Sequence, residues 1–197
     1  MSTDYSEDRL IQKSAAELME TELGWTSIYA YDKEVLGENG TFGRNSFHEV
    51  LLTQRFRLAL KKLNPWINDK QIAEAIERMT ERMSSQTLMQ INEQKYQFIR
   101  DGIPVTRIKP DGTSEEIKAV VIDFENIDNN DFLCVRELWI YGALYRRRAD
   151  IVGFVNGIPL LFVELKNHNV EVENAFNENY RDYLDTIPQL FYHNAFI

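Results

Sequence analysis

The sequence predicts an α/β domain with a mixed central β-sheet flanked by helices. Three observations lead to this fold class: an amphipathic helix opens the chain, further helices fill residues 46–100, and strands with period-2 hydrophobicity follow from residue 101. With 44% hydrophobic and 27% charged residues among 197, the composition is that of a globular protein. We therefore predict a single domain over residues 1–197, with a helical insertion at 46–100 and a sheet core at 101–188.

The first half of the chain is predicted to be mainly helical. Ser6 is a suitable cap for the first helix, Glu7 and Asp8 suit its dipole, and Gly24 ends it. Asn64-Pro65 ends the first helix of the insertion, and Asn68 or Asp69 caps the second. The predicted elements here are helix 6–23, strand 25–31, loop 37–45, and helices 46–63, 68–83 and 85–99.

The second half is predicted to be mainly strands. PDGT, residues 110–113, is a turn sequence between two extended stretches and predicts a hairpin. Asn156-Gly157 is the strongest hairpin signal in the chain and joins the last two strands. The predicted elements are the first hairpin at 103–124, strands 132–142, 144–155 and 158–166, and a final helix at 170–187.

The formal net charge of -9 restricts the functions that the chain can perform alone. A protein that holds DNA by itself usually carries a basic face that neutralises phosphates. Two interpretations remain: the chain does not contact nucleic acid, or it cuts DNA that other domains or subunits deliver. No apolar run reaches 18 residues, the N-terminus does not have the pattern of a signal peptide, and Cys134 lies alone in an apolar stretch. We therefore expect a cytoplasmic protein with no membrane association and a buried thiol at Cys134.

The segment that points to chemistry is the last hairpin, RRRADIVGFVNGIPLLFVELK. Its strands are apolar on both faces, as in the centre of a covered sheet, so charges at their ends are costly unless they are paired or bound to a metal. Asp150 begins the hairpin and Glu164 and Lys166 end it, so all three are expected at one rim of the sheet. Two carboxylates suit Mg²⁺, and a lysine beside them can orient a water for phosphodiester hydrolysis.

The register of this hairpin imposes a condition on that site. A two-residue turn pairs Val155 with Ile158, which would set Asp150 opposite Val163 and place Glu164 on the other face. A shared site therefore requires one extra residue, for which Gly153, Gly157 and Pro159 are the natural positions. The alternative is that Glu164 and Lys166 form an ordinary surface ion pair, and the residues of the hairpin alone do not separate the two interpretations.

Beyond the hairpin, segments along nearly the whole chain resemble the N-terminal part of the R (restriction) subunit of type I restriction-modification enzymes. The segments that carry the resemblance, in one order, are SEDRLIQKSAAELMETELGW, GRNSFHEVLL, KKLNPWI, VIDFENIDNNDFLCVRELWIYG and DYLDTIPQLFYHNAFI. The resemblance implies a restriction-endonuclease-like PD-(D/E)xK fold that cleaves double-stranded DNA with Mg²⁺ and without sequence choice. In it, Asp150 and Glu164 take the places of the metal-binding carboxylates, and Lys166 takes that of the catalytic lysine.

The same resemblance assigns supporting residues. Ala149 stands where the family often has proline, which changes backbone stiffness but not the ligand. Asn179 and Tyr183 are the best match to a glutamine-xxx-tyrosine motif that supports the site and contacts DNA. Glu7 matches an acidic residue that can approach the metal, although a glutamate that only serves the helix dipole explains it equally well.

Arginines near the proposed site are candidates for phosphate contacts. The run Arg146, Arg147, Arg148 leads directly into Asp150, and alternation along a strand would let one or two of the three reach a phosphate. Arg181 on the final helix is a weaker candidate of the same kind. The alternative for each is a solvated charge at the end of an element.

The family's full subunit continues into ATP-driven DNA translocase domains and works with methylation and specificity subunits. This chain contains no GxxxxGK[ST] phosphate loop, so we expect a fragment of a longer subunit whose ATP site lies elsewhere. We also expect the aromatic LFYHNAF segment to pack against those missing domains and to be partly exposed here. A non-catalytic docking module of the same subunit is the alternative function.

Overall fold

A computed structural model describes residues 7–82, 85–165 and 180–196 of the chain. The helices are α1 (Glu7–Leu23), α2 (Thr53–Leu63), α3 (Asp69–Thr80), α4 (Leu88–Asp101) and α5 (Arg181–Thr186). The strands are β1 (Thr26–Tyr29), β2 (Ile103–Ile108), β3 (Ser114–Ala119), β4 (Phe132–Tyr141), β5 (Arg146–Val155) and β6 (Ile158–Val163). Short 3-10 helices lie at Ile127–Asn129 and Pro188–Tyr192.

The central sheet has four strands in the order β1-β4-β5-β6. β1 runs parallel to β4, and β4, β5 and β6 are mutually antiparallel. The prediction of a mixed sheet flanked by helices is therefore confirmed. Hydrophobic residues cover both faces of the sheet: α1 contributes Ala16 beside Cys134 and Ile151, and the segment after α5 contributes Leu190 and Phe191 on the other face.

The hairpin β2–β3 stands apart from the central sheet, although the sheet core predicted at 101–188 included it. Its six residue pairs, from Ile103↔Ala119 to Ile108↔Ser114, form a separate two-stranded sheet. Ile103, Val105 and Ala119 share a buried cluster with α2 and α3. The hairpin thus packs with the helical insertion rather than extending the sheet that carries the candidate site.

The first helix of the insertion begins at Thr53, seven residues later than the prediction of 46–63. The reason is a tertiary hydrogen bond: the Leu52 N–H donates to the carbonyl of Gly157 in the β5–β6 turn, at 2.9 Å. Val50, Leu51 and Leu52 are consecutive and all buried, so in a helix they would span about 200° of its surface, more than the apolar stripe of an ordinary amphipathic helix. The second helix begins as predicted, with Asn68 rather than Asp69 as its cap, in a reciprocal capping box with Gln71.

The aromatic segment at the end of the chain packs within this domain, so the expectation of a partly exposed patch for other domains was wrong for most of it. Leu190, Phe191, Tyr192 and His193 are buried, and Phe196 is exposed. Ala195 and Phe196 both donate their N–H groups to the carbonyl of Leu160, at 2.9 and 3.1 Å. Phe162 returns a hydrogen bond to the carbonyl of Phe196, so this end segment lies against the free edge of β6.

No helix within the described ranges is both long and apolar enough to cross a membrane.

Candidate active site

The β5–β6 hairpin contains the extra residue that a shared site requires. Val155↔Ile158 and Phe154↔Pro159 pair as a two-residue turn dictates, but the next pair is Gly153↔Leu161, so Leu160 is the additional residue. The register then continues to Ile151↔Val163, and one further step sets Asp150 opposite Glu164. The predicted irregularity is confirmed, at Pro159 and Gly153, two of the three expected positions.

Close packing explains why the irregularity occurs at this glycine. A Cβ atom on Gly153 would lie 2.9 Å from Cβ of Leu161 and 2.9 Å from a ring carbon of Trp25. Only glycine lets β6 and Trp25 approach the backbone of β5 so closely. The β-bulge is therefore fixed by the packing of β5 against β6 and Trp25.

Asp150 accepts hydrogen bonds from different parts of the chain. Its Oδ1 accepts from the side-chain amide of Gln12 on α1 at 3.0 Å, and its Oδ2 accepts from the Leu165 N–H at 2.8 Å. Gln12 is 3% exposed, so the first bond is shielded from water. These bonds fix the carboxylate beside the end of β6, where Glu164 lies.

Tyr183 on α5 lies beside both carboxylates. Its hydroxyl donates to the peptide carbonyl of Arg148 at 3.1 Å. Burial, the negative charges of Glu164 and Asp150, and a hydrogen bond with Glu164 all raise the pKa of Tyr183 well above its usual range. Tyr183 therefore stays protonated at neutral pH and acts as a hydrogen-bond donor at the site.

Glu137 on β4 lies at the register position across from Asp150. It is 3% exposed and has a φ of 60°, in the left-handed region that costs a residue with a side chain about 1 kcal/mol or more. Its carboxylate forms an ion pair with Arg148 Nε at 2.5 Å.

Both strands break their regular alternation at this point. The pairs Val135↔Val152 and Leu138↔Ala149 face the same buried cluster, although three positions separate them along each strand. Regular alternation would put them on opposite faces, so each strand accommodates one extra residue between the two pairs. Glu137 and Asp150 lie within this break.

The three consecutive arginines of β5 separate as strand alternation predicts. Arg146 and Arg148 both lie over the ring of Trp139, at 5.2 and 5.7 Å, and Arg148 also lies 5.0 Å from the ring centroid of Tyr31. Arg147 instead makes a bidentate ion pair with Asp182 on α5. Arg146 and Arg148 thus share one side of the strand near Asp150, while Arg147 points to the other side and pairs with α5.

The structure brings Asp150, Glu164, Tyr183 and Arg148 together. Lys166 and Asn179 lie outside the described residues. Glu7 is the first residue of α1, and its side chain also lies outside the described part. Arg181 is exposed at the start of α5.

Sequence reasoning missed two residues of this site, Gln12 and Glu137. Gln12 is a polar position on the buried side of an amphipathic helix, and a buried amide needs a hydrogen-bond partner. That is the one signal in the sequence that marks it. Glu137 interrupts the apolar stretch FLCVRELWI, where an isolated charge is costly, and this could have singled it out.

The donor set at the site consists of carboxylate oxygens, which are the ligands that Mg²⁺ prefers. The described residues contain no group of three or more histidine, cysteine or acidic side chains placed to enclose a metal ion. Mg²⁺ usually binds through one or two carboxylates and keeps water and substrate oxygens as its other ligands. Asp150 and Glu164 therefore fit this ion, since neither a larger cage nor a nitrogen or sulfur ligand is needed.

A mixed α/β sheet whose central hairpin ends in two carboxylates is compatible with a nuclease-like fold. The family model for the N terminus of the type I restriction enzyme R protein matches residues 4–197, and the chain belongs to this family. It is 32% identical over 177 residues to the HindI type I restriction enzyme endonuclease subunit of Haemophilus influenzae, an alignment that covers 87% of this chain and 16% of that protein. It is 27% identical over 191 residues to the putative MjaIXP endonuclease subunit of Methanocaldococcus jannaschii, covering 94% of this chain and 18% of that protein. The chain thus spans less than a fifth of the length of these relatives.

Proposed function

We propose that this chain is the DNA-cutting domain of a type I restriction enzyme, and that it hydrolyses phosphodiester bonds of double-stranded DNA with Mg²⁺ at Asp150 and Glu164. The proposed fold is of the PD-(D/E)xK type. The observation that carries the proposal is the β-bulge at Leu160, which sets Asp150 opposite Glu164 where a regular hairpin would separate them. A hairpin that served only to fill the core would not need this irregularity.

Each residue has a role in the proposed reaction. Asp150, oriented by Gln12 and the Leu165 N–H, and Glu164 would hold the Mg²⁺ ion. When bound, this ion supplies positive charge to the phosphate and lowers the pKa of a coordinated water. Lys166, by resemblance to the family, would orient the water whose oxygen bonds to phosphorus as one phosphorus–oxygen ester bond breaks. Tyr183 supports the site as a protonated side chain that donates to the carbonyl of Arg148 and lies beside Glu164.

We further propose that cutting by this domain depends on parts of a longer protein. The two relatives are endonuclease subunits about six times as long as the matched region, which leaves room for other domains. The net charge of -9 fits a domain that receives DNA rather than one that captures it. In this proposal ATP-driven translocation takes place in those other domains, and methylation and specificity subunits choose the sequence.

The proposal is tested by calorimetric titration of Mn²⁺ or Mg²⁺ into the chain and into Asp150→Asn. We expect saturable binding by the unmodified chain and binding at least tenfold weaker by the variant. Asp131→Asn is the matched control, because Asp131 is an aspartate paired with Arg55 at the opposite end of the hairpin. Equal, negligible binding by all three proteins would favour a non-catalytic docking module and overturn the proposal.

A further inference from the structure

Cationic and aromatic side chains form a continuous row on one side of β1, β4 and β5. Its members are Tyr29, Tyr31, Arg136, Trp139, Arg146 and Arg148, which we call the cation–aromatic row. Arg136 lies 5.3 Å from the ring centroid of Tyr29, and Tyr29 stacks on Tyr31 at 6.1 Å. The guanidinium of Arg148 contacts the rings of both Tyr31 and Trp139. Arg146 also lies over the ring of Trp139 and ends the row.

The row contrasts with the overall charge of the protein. Lys33, over the ring of Tyr29 at 5.5 Å, adds a fourth positive charge to the three arginines. Within the part of the chain that the structure describes, Glu137 is buried and forms an ion pair with Arg148 of the row. A chain with 31 acidic and 22 basic residues therefore presents a locally basic surface here. Such a local excess attracts polyanions even where the net charge repels them.

Arg136 has a hydrogen-bond donor that the described part of the protein does not use. Its Nε atom is buried, and no hydrogen-bond partner exists for it among the described residues. A buried donor without an acceptor is unfavourable, so this N–H group is available to an acceptor on a ligand. The ring of Tyr29 holds the guanidinium in place without occupying its in-plane N–H donors, which suit a phosphate oxygen.

The row leads directly to the proposed cutting site. Arg148 precedes Asp150 by two residues on β5, and its peptide carbonyl accepts the Tyr183 hydrogen bond. Arg136 pairs with Ile151, next to Asp150, across the β4–β5 ladder. A DNA strand with one phosphate at Asp150 and Glu164 would have its neighbouring phosphates within reach of these arginines.

We propose that the cation–aromatic row is the track along which the sugar–phosphate backbone of DNA lies next to the cut site, with Arg136 and Arg146 as phosphate contacts. This rests on the proposed function for its substrate, and it adds Arg136, Tyr29, Tyr31 and Trp139 to the arginines indicated by the sequence. The aromatic rings hold the guanidinium groups in place before DNA arrives, which lowers the entropic cost of forming each contact. An acidic protein partner is the competing occupant.

The test is fluorescence anisotropy of a labelled 20-base-pair duplex with the 197-residue chain in EDTA, at a series of salt concentrations. We expect Arg136→Gln and Arg146→Gln each to weaken binding about five- to tenfold. Each loss of a phosphate contact should also reduce the slope of log K against log salt by about 0.9. Arg136→Lys, which keeps the charge, should retain the slope with a smaller loss of affinity.

Arg147→Gln is the matched control, because it removes the same charge from the same strand but from an arginine committed to Asp182. It should leave affinity and slope unchanged. Equal effects of all three glutamine variants would show that only net charge matters and would overturn the track. So would no measurable binding by the unmodified chain at low salt, or binding that the row variants do not change.

The outcome is separable from that of the proposed function. Loss of metal binding in Asp150→Asn concerns the cutting site, whereas the binding measured in EDTA does not depend on it. If the row binds DNA but the carboxylates bind no metal, the DNA-binding proposal stands and the nuclease proposal is wrong. If the carboxylates bind metal but the row variants do not affect DNA binding, the nuclease proposal stands and DNA binds at another surface.

Discussion

Gln12 on the first helix donates a hydrogen bond to Asp150, 138 positions later in the chain, at 3.0 Å. A residue near the start of the sequence therefore orients the carboxylate on which the proposed chemistry depends. Helix α1 is not part of the sheet, so Gln12 can reach Asp150 only because α1 packs against Cys134 and Ile151.

Replacing Gln12 with leucine should destabilise the fold by about 1–2 kcal/mol, because the partly buried carboxylate of Asp150 loses the hydrogen bond from the Gln12 amide. The measurement is urea unfolding at neutral pH. Gln97→Leu is the matched control, since Gln97 is an exposed glutamine on α4, and it should change the free energy of unfolding by less than about 0.5 kcal/mol. Equal stabilities for the two variants would show that the bond contributes nothing.

Replacing Gly153 with alanine should destabilise the protein by about 1–3 kcal/mol, because the new methyl group meets Leu161 and Trp25 at 2.9 Å. The near-ultraviolet circular dichroism of Trp25 should also change. Gly112→Ala, in the β2–β3 turn, is the comparison: its Cβ meets nothing within 4 Å, so that variant has only the backbone strain of a φ of 83°. An unchanged aromatic signal in Gly153→Ala would contradict the close packing at the bulge.

Stability should fall in mild acid because of His193. Burial is the main cause that lowers the pKa of His193 to about 4, and its Nε2 lies 2.9 Å from the carbonyl of Met79. The unfolded chain takes up a proton near pH 6.5 and the native state does so only near pH 4, so the unfolded state binds more protons between these values. The free energy of unfolding should therefore decrease as pH falls through this window, by up to about 1.4 kcal/mol per pH unit.

The measurement for His193 is the difference in pH dependence between the unmodified chain and His193→Gln, which cancels the contribution of the carboxylates. The variant should lack the histidine part of the slope between about pH 6.5 and 4. His48→Gln, at an exposed histidine, should retain it. If His193→Gln shows the same dependence of unfolding free energy on pH as the unmodified chain, other groups cause that dependence.

Asn156 should not tolerate replacement by aspartate, although the shapes are nearly identical. It is fully buried, its Oδ1 accepts from the Asp131 N–H, and its Nδ2 donates to the carbonyl of Val121 at 2.8 Å. Aspartate would set a carboxylate oxygen against that carbonyl, at an expected cost of about 3 kcal/mol or more. Thermal unfolding of Asn156→Asp measures it, and Asn45→Asp, an exposed change of equal charge, should have little effect.

The sequence allowed much of the site-bearing sheet to be predicted because its signals are local. Asn156-Gly157 adopts the two positive φ values, 53° and 81°, that this dipeptide favours in a hairpin. The need for an extra residue followed from counting positions, and Leu160 provides it. The start of α2 and the separate packing of the first hairpin depend on contacts distant in sequence, such as Leu52 with Gly157, which no local pattern reveals.

The same distinction applies to the candidate site. Asp150 and Glu164 could be proposed from the sequence because charges at the ends of apolar strands are conspicuous. Gln12, which orients Asp150, could not be predicted in the same way, because it lies on a helix whose position against the sheet is set by tertiary packing. Glu137 is placed by a break in alternation that two strands share, and the break is visible only when their pairing is known.

The hydrogen bonds from Ala195 and Phe196 to Leu160 have a mechanical consequence. The residue that these bonds hold is the one whose presence decides which face Glu164 occupies. A slip of β6 by one residue would turn Glu164 away from Asp150. The end segment therefore helps to hold the register of β6 on which the proposed site depends, although it contains neither carboxylate.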